Sequence, residues 1–140
     1  MDYNLTIARE SPYLHVVVTG TNSKEAVAAY LKDVLHECTV RQCVRVLIEE
    51  RLDGPRLTGY PVFEIASEGS KNARGKFDRI AYVDVNASGD LMQFAETVAL
   101  NRGLPIAIFR TVADAVQWLQ EGDSKEPGNT RDEQASVTTP

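Results

Sequence analysis

The sequence predicts an α/β domain: a mostly parallel sheet of about five strands, with an antiparallel hairpin at its N-terminal edge and four helices. Three observations carry this. Short apolar runs alternate along the chain with longer segments whose apolar residues recur at helical spacing. Two such runs stand side by side at the start, separated by a short turn. The 140 residues, 43% hydrophobic and 25% charged, have the make-up of one globular domain, able to hide roughly two thirds of its unfolded surface without disulfides or metal.

Residues 3 to 8 alternate, with Tyr3, Leu5 and Ile7 on one side and Asn4, Thr6 and Ala8 on the other, as in a half-buried strand. Glu10-Ser11-Pro12 turns the chain, and Tyr13 to Thr19 is dense enough for an interior strand covered on both faces. Asn22 or Ser23 can cap a helix whose stripe is Val27, Tyr30, Leu31, Val34, Leu35 and Cys38, with His36 on the opposite face. Val44 to Glu49 reads as the next buried strand, followed by a loop through Asp53-Gly54-Pro55. A helix is expected to start between Thr58 and Pro61, turning Val62, Phe63, Ile65 and Ala66 inward, with Gly69 and Gly75 weakening its second half. Arg79 to Val85 is a third buried strand. A helix from about Ser88 to Arg102 then carries Leu91, Phe94, Ala95, Val98 and Ala99 on one face and stops at Gly103. Ile106 to Phe109 is the last strand, and Thr111 caps a final helix with the stripe Val112, Ala115, Val116 and Leu119. Right-handed crossovers between such strands make the sheet largely parallel.

The expected domain spans residues 1–120. From 121 to 140 the chain is polar and acidic, with almost nothing apolar to offset its ordering entropy, and this tail is expected to be disordered. A net charge of -5 repels phosphate backbones and excludes general nucleic-acid binding. No apolar run approaches the length of a membrane span, and Met1-Asp2-Tyr3-Asn4 lacks the basic and apolar stretches of a secretory signal, so a cytoplasmic location is expected. Cys38 and Cys43 are too widely spaced for a C-x-x-C motif and read as packing residues.

Several residues invite a chemical reading. The stretch from Gly69 to Phe77 imitates a phosphate-binding loop, but five residues separate its glycines where the motif needs four. Phe77 also replaces the magnesium-binding hydroxyl, and the stretch precedes a strand instead of following one. A solvated helix end explains it better. Glu49, Glu50 and Asp53 after one strand and Asp84 at the end of another gather carboxylates at the C-terminal edge of the sheet, where α/β proteins place ligands. Magnesium could use such oxygens, although solvated loop charges are the default, and no metal site is assigned. Arg102 falls on an apolar helical stripe, with its stem expected over the core and its guanidinium on the helix's terminal carbonyls. His15, within the hairpin, and His36 share no constellation. No nucleophile and base can be paired, so neither enzymatic activity nor a cofactor is expected. Trp118 is expected to close the last helix on the sheet, and Tyr60 and Phe63 to be either core or the mouth of an apolar pocket.

The stretch Phe94-Ala95-Glu96-Thr97-Val98-Ala99, then Asn101-Arg102-Gly103-Leu104, then Phe109, Ala115 and Trp118-Leu119, resembles the C-terminal half of SpoIIAA-like domains, which are related in fold to STAS domains. The leading hairpin, the helix at Ser23-Lys24-Glu25, and the strands Arg45-Val46-Leu47-Ile48 and Ile80-Ala81-Tyr82-Val83 agree in layout. The resemblance implies a superhelix of βα turns. STAS proteins include anti-sigma factor antagonists, which bind a kinase partner and are switched off by phosphorylation of a serine at a helix start. The matching region here is Asp53 to Gly59. Its Asp-Ser-Ser-Gly signature is absent, and Thr58 stands where the phosphoacceptor would be. The fold group also resembles lipid-carrying CRAL-TRIO domains, which hold an apolar cavity between sheet and helices.

Two functions are therefore expected as alternatives. The first is a non-enzymatic regulatory or interaction module with a protein partner, Thr58 being the candidate phosphoacceptor and a homodimer one form of partnership. The second is a carrier or sensor of a small, largely apolar ligand between the sheet and the helix that begins near Thr58. Its candidate pocket residues are Leu57, Tyr60, Phe63, Asp84 and Arg102.

Overall fold

A computed structural model describes residues 3–55, 57, 59–84 and 89–121. Thr58, Val85, Ser88 and the tail beyond Glu121 lie outside the described residues, as does the side chain of Leu91. The elements follow the expected order: β1 (Tyr3–Glu10), β2 (Tyr13–Thr21), α1 (Lys24–Val40), β3 (Arg45–Asp53), α2 (Gly59–Ala73), β4 (Arg79–Asp84), α3 (Gly89–Asn101), β5 (Ile106–Phe109) and α4 (Val112–Glu121). The five strands lie in chain order, β1 antiparallel to β2 and the rest parallel.

This order explains the layers. Successive right-handed crossovers that always advance to the next strand in the same direction put their helices on one face of the sheet. Thus α1, α2 and α3 share a face. Val27, Tyr30, Val34 and Cys38 of α1 and Ala99 of α3 pack there on Leu14, Val16, Val18, Val46, Ile48, Leu52 and Ile80. Free of that constraint, α4 folds back over the other face, where Ala115 and Leu119 meet Tyr13, Leu47, Ala81 and Val83. Cys38 and Cys43 are free thiols buried with the larger core.

The helix ends carry the expected chemistry. Ser23 caps α1, its Oγ accepting from the Ala26 N–H at 3.0 Å, and Thr111 caps α4 by accepting from the Asp114 N–H at 3.2 Å. Gly75 and Gly103, with φ of +78° and +83°, follow α2 and α3 in the left-handed conformation that glycine adopts without steric penalty. The C-terminal carbonyls of α4 receive two arginines. Arg45 donates to Leu119 O at 2.6 Å and pairs with Asp78 at 2.7 Å. Arg79 donates to Trp118 O at 2.6 Å and lies over the Trp118 ring.

Two expectations change. The third strand does not stop at Glu49. Its parallel pairing with β2 continues through Gly20↔Leu52 and Thr21↔Asp53, and fully buried Leu52 holds it against the helical layer. Glu49 and Glu50 are therefore strand residues on opposite faces instead of loop acids. Phe94, expected inside, is exposed, because the buried face of α3 is centred nearer Ala95 and Ala99 and turns position 94 to the rim.

Candidate functional site

Side chains alternate along a strand, so residues two apart share a face. Val46, Ile48 and Glu50 of β3 and Ile80, Tyr82 and Asp84 of β4 consequently form two parallel rows beneath the helices, with Ile48 beside Tyr82 and Glu50 beside Asp84. Above these rows the helices do not close completely. A cavity of about 200 Å³ remains, bounded by the sheet, by Val27 and Leu31 of α1, by Ile65, Ala66 and Gly69 of α2 and by Met92, Ala95 and Ala99 of α3. Its walls are predominantly apolar.

Gly69 helps to keep that space open. It falls on the stripe of Val62, Ile65, Ala66 and Ala73 at helical spacing, all of which line the cavity. A Cβ built at position 69 would meet no atom within 4 Å. Near the C-terminal ends of the strands, the Asn22 N–H donates to Asp53 O and its Nδ2 donates to Pro55 O, each at 2.7 Å. These bonds tie the β3–α2 connection, which carries Leu57, to the end of β2.

The polar part of the wall is centred on Glu50, only 3% exposed. Its Oε1 accepts hydrogen bonds from the Tyr30 hydroxyl and, at 2.5 Å, from that of Tyr82, and the two hydroxyls are 3.0 Å apart. Burial, with a hydrogen bond and like charge from Asp84, pushes the Glu50 carboxyl up to about 8, against the opposing effect of the tyrosines. Glu50 therefore holds a proton at neutral pH. Both tyrosines are pushed well above the usual phenol range, first by burial and then by their neighbours. The arrangement can bind and orient a polar group and release or take up a proton. Among the described residues it contains no nucleophile paired with a base.

The carboxylates expected to gather at the sheet edge are thus divided. Glu49 faces away from the cavity, 2.9 Å from His15 Nε2 and 2.5 Å from Arg51. Burial raises its carboxyl, but the His15 and Arg51 hydrogen bonds more than offset that and leave it below the usual range. Asp53 is exposed. Among the described residues no three His, Cys, Asp or Glu side chains converge as a metal site would require. The stretch that imitates a phosphate loop includes the C-terminal turn of α2, where Ser70 donates to Ala66 O at 2.6 Å. That end presents carbonyls, not the N–H groups that hold phosphate.

Of the candidate pocket residues, Leu57 and Asp84 stand in the cavity wall. Tyr60, Phe63 and Arg102 are gathered elsewhere, on the surface. Tyr60, 70% exposed, stacks on Phe63 at 6.4 Å, and the Arg102 guanidinium lies 5.3 Å from the Phe63 ring. The helical wheel accounts for this, because Tyr60 falls opposite the stripe that lines the cavity and Phe63 on its flank. Arg102 also donates to Val98 O at 3.3 Å, in keeping with a side chain folded over its own helix end. Sequence reasoning brings Glu50 and Asp84 to one sheet edge but misses the two tyrosines that complete the polar centre. Tyr30 looked like one more stripe residue, and Tyr82 and Glu50 were separated by an expected strand end. The usable signal was the two-residue steps Ile48 to Glu50 and Tyr82 to Asp84 on adjacent strands.

No family model matches the chain, and no curated protein does. Solved structures do. An uncharacterised DUF3478-family protein with a SpoIIAA-like fold from Shewanella loihica is 20% identical, with 84% of this chain and 94% of that one covered at a TM-score of 0.50. An anti-sigma factor antagonist from Mycobacterium paratuberculosis is 13% identical, with 85% and 95% covered at 0.55. A variant of RsbS from Moorella thermoacetica is 16% identical, with 85% and 97% covered at 0.52. The chain has the SpoIIAA-like fold that its sequence resembles. Among the described residues no helix is long and apolar enough to cross a membrane.

Proposed function

We propose that this SpoIIAA-like domain is a non-catalytic binding module that takes a small, largely apolar molecule between its sheet and helices α1, α2 and α3. The observation that carries this is the cavity of about 200 Å³ with a glycine in its wall where an added Cβ would meet no atom within 4 Å. Interiors are ordinarily packed to crystal density, and an empty space of this size forfeits contact energy. An engineered cavity of about 150 Å³ accepts benzene, so this one has room for about seven or eight non-hydrogen atoms. The test is calorimetry with 1-hexanol, together with Gly69→Leu. The wild-type chain should bind the alcohol and the substituted, folded chain should not. Equal behaviour of the two would remove the reading.

A regulatory role is favoured by a separate observation. The stack of exposed Tyr60 on half-buried Phe63, with Arg102, lies away from the side of α2 that forms the cavity wall. Aromatic and arginine side chains of this kind dominate protein interfaces. A ligand that displaces α2 would alter what that surface presents to a partner, and one similar structure bears the name of an anti-sigma factor antagonist. Thr58, immediately before α2, stays the proposed phosphoacceptor. Incubation with partner kinases followed by mass spectrometry should add one phosphate there, and an unmodified Thr58 removes the switch from the proposal.

A further inference from the structure

We propose that residues 122–140 dock through their acidic side chains on the basic surface where α2 and α3 end, so that the chain carries the occupant of its own interaction surface. The proposal is independent of the cavity. The four parallel strands start at one end of the sheet, and every helix returns the chain toward that end. Lys71, Arg74, Lys76, Arg79 and Arg102 collect there, from the last turns of α2 and α3, the turns that follow them and the start of β4. The Arg74 Nε donates to Arg102 O at 3.2 Å and joins the two helix ends, while Arg79 donates to Trp118 O in the last turn of α4. In a chain of net charge -5, such a concentration of cations does not follow from composition.

The domain leaves these cations uncompensated. The acids beside them are engaged elsewhere, Asp78 with Arg45 at 2.7 Å and Glu37 with Arg41 at 3.0 Å. Among the described residues none of the five forms an ion pair. Arg74, Arg79 and Arg102 each give a hydrogen bond to a carbonyl at a helix end. A guanidinium has five donors, however, and a helix end carries only about half a charge. Lys71 and Lys76 are exposed.

The segment with the matching charge begins at the same end. α4 finishes at Glu121, with its last turn held by Arg45 and Arg79 at the starts of β3 and β4. Beyond it, Asp123, Glu126, Asp132 and Glu133 stand against Lys125 and Arg131, four acids to two bases, a net charge of -2. α4 and α2 lie on opposite faces of the sheet, so the segment must cross a separation on the order of 20 Å. The eleven residues from Glu121 to Asp132 have a coil dimension of about 17–20 Å, which brings the Asp132–Glu133 pair level with Lys71 and Arg74. With almost nothing apolar in the segment, charge alone can hold it. Exposed ion pairs are worth only about 0–1 kcal/mol each, which a separate peptide of this charge could not turn into useful affinity. A tether can, because it sets an effective concentration on the order of millimolar.

The test is paramagnetic relaxation in the full chain, with a nitroxide on Ala135→Cys and the unsubstituted chain treated identically as background. In about 10 mM salt, where the Debye length is about 30 Å, amide signals of Lys71 to Lys76 and of Arg102 and Gly103 should lose at least about half their intensity. Those of Thr21 and Asp53, at the other end of the strands, should stay sharp. In about 1 M salt, with a Debye length of about 3 Å, the lost intensity should return. It should also return at low salt when Asp123→Asn, Glu126→Gln, Asp132→Asn and Glu133→Gln are combined, changes confined to the segment beyond α4. The exposed triple change Lys71→Glu, Arg74→Glu and Lys76→Glu should restore the Arg102 and Gly103 signals in the same way. No broadening at low salt, broadening that survives 1 M salt or the neutralised segment, or equal broadening at Thr21 and Asp53 overturns the proposal.

Discussion

Glu50 makes the stability of this protein depend on pH in a direction opposite to that of most carboxylates. Its ordinary value is 4.5 and its folded value about 8, so between these the folded chain binds one proton more than the unfolded chain. Raising the pH then favours unfolding. The contribution is complete below pH 4.5 and is lost as pH rises toward 8, by at most about 1.4 kcal/mol per unit. Glu49, held below the usual range by His15 and Arg51, acts in the usual direction and only in acid. Urea midpoints measured from pH 5 to 8 should therefore fall in the wild-type chain and change less in Glu50→Gln. Parallel slopes would show that Glu50 is ionised throughout. At this scale the sequence was least informative. It shows that Glu50 and Asp84 exist, but the partnership with Tyr30 and Tyr82 depends on strand register and on one helix's rotation, which only the packed structure fixes.

Helices and strands were legible to within a few residues, because their signals are local. Periodicity gave the buried stripes of α1 and α4, Ser23 and Thr111 gave their starts, and Gly103 gave the end of α3. The misplaced end of β3 has a nonlocal cause, since its last four residues are held by pairing with β2 and not by any pattern of their own. Two glycines should respond oppositely to alanine. Gly103→Ala forces a Cβ into a left-handed conformation and is expected to destabilise by about 1–2 kcal/mol. Gly69→Ala meets open space in a helix interior and should stabilise by about 0.5–1 kcal/mol. Thermal or urea unfolding of both variants checks the two signs, and a loss at position 69 would mean that the space is already filled.

For the molecule as a whole, strand order determines where binding can occur. Three crossovers on one face leave three helices to cover five strands from that side, and their inner faces meet the sheet incompletely above β3 and β4. The element sequence made this layering predictable, and it made an apolar pocket a reasonable expectation. It did not reveal which candidates would line it, and Tyr60, Phe63 and Arg102 proved to form a surface cluster instead. A ligand that enters only the folded state must raise the melting temperature with concentration. 1-Hexanol at a hundred times its dissociation constant should stabilise the chain by about 2.7 kcal/mol, and Gly69→Leu should abolish the shift.

Since the interior space is held open where position 69 lacks a side chain, its capacity can be graded one carbon at a time. Alanine, valine and leucine in turn would shorten the longest guest the protein accepts, so that a series of homologous alcohols becomes a ruler for the room inside and a single codon resets its selectivity.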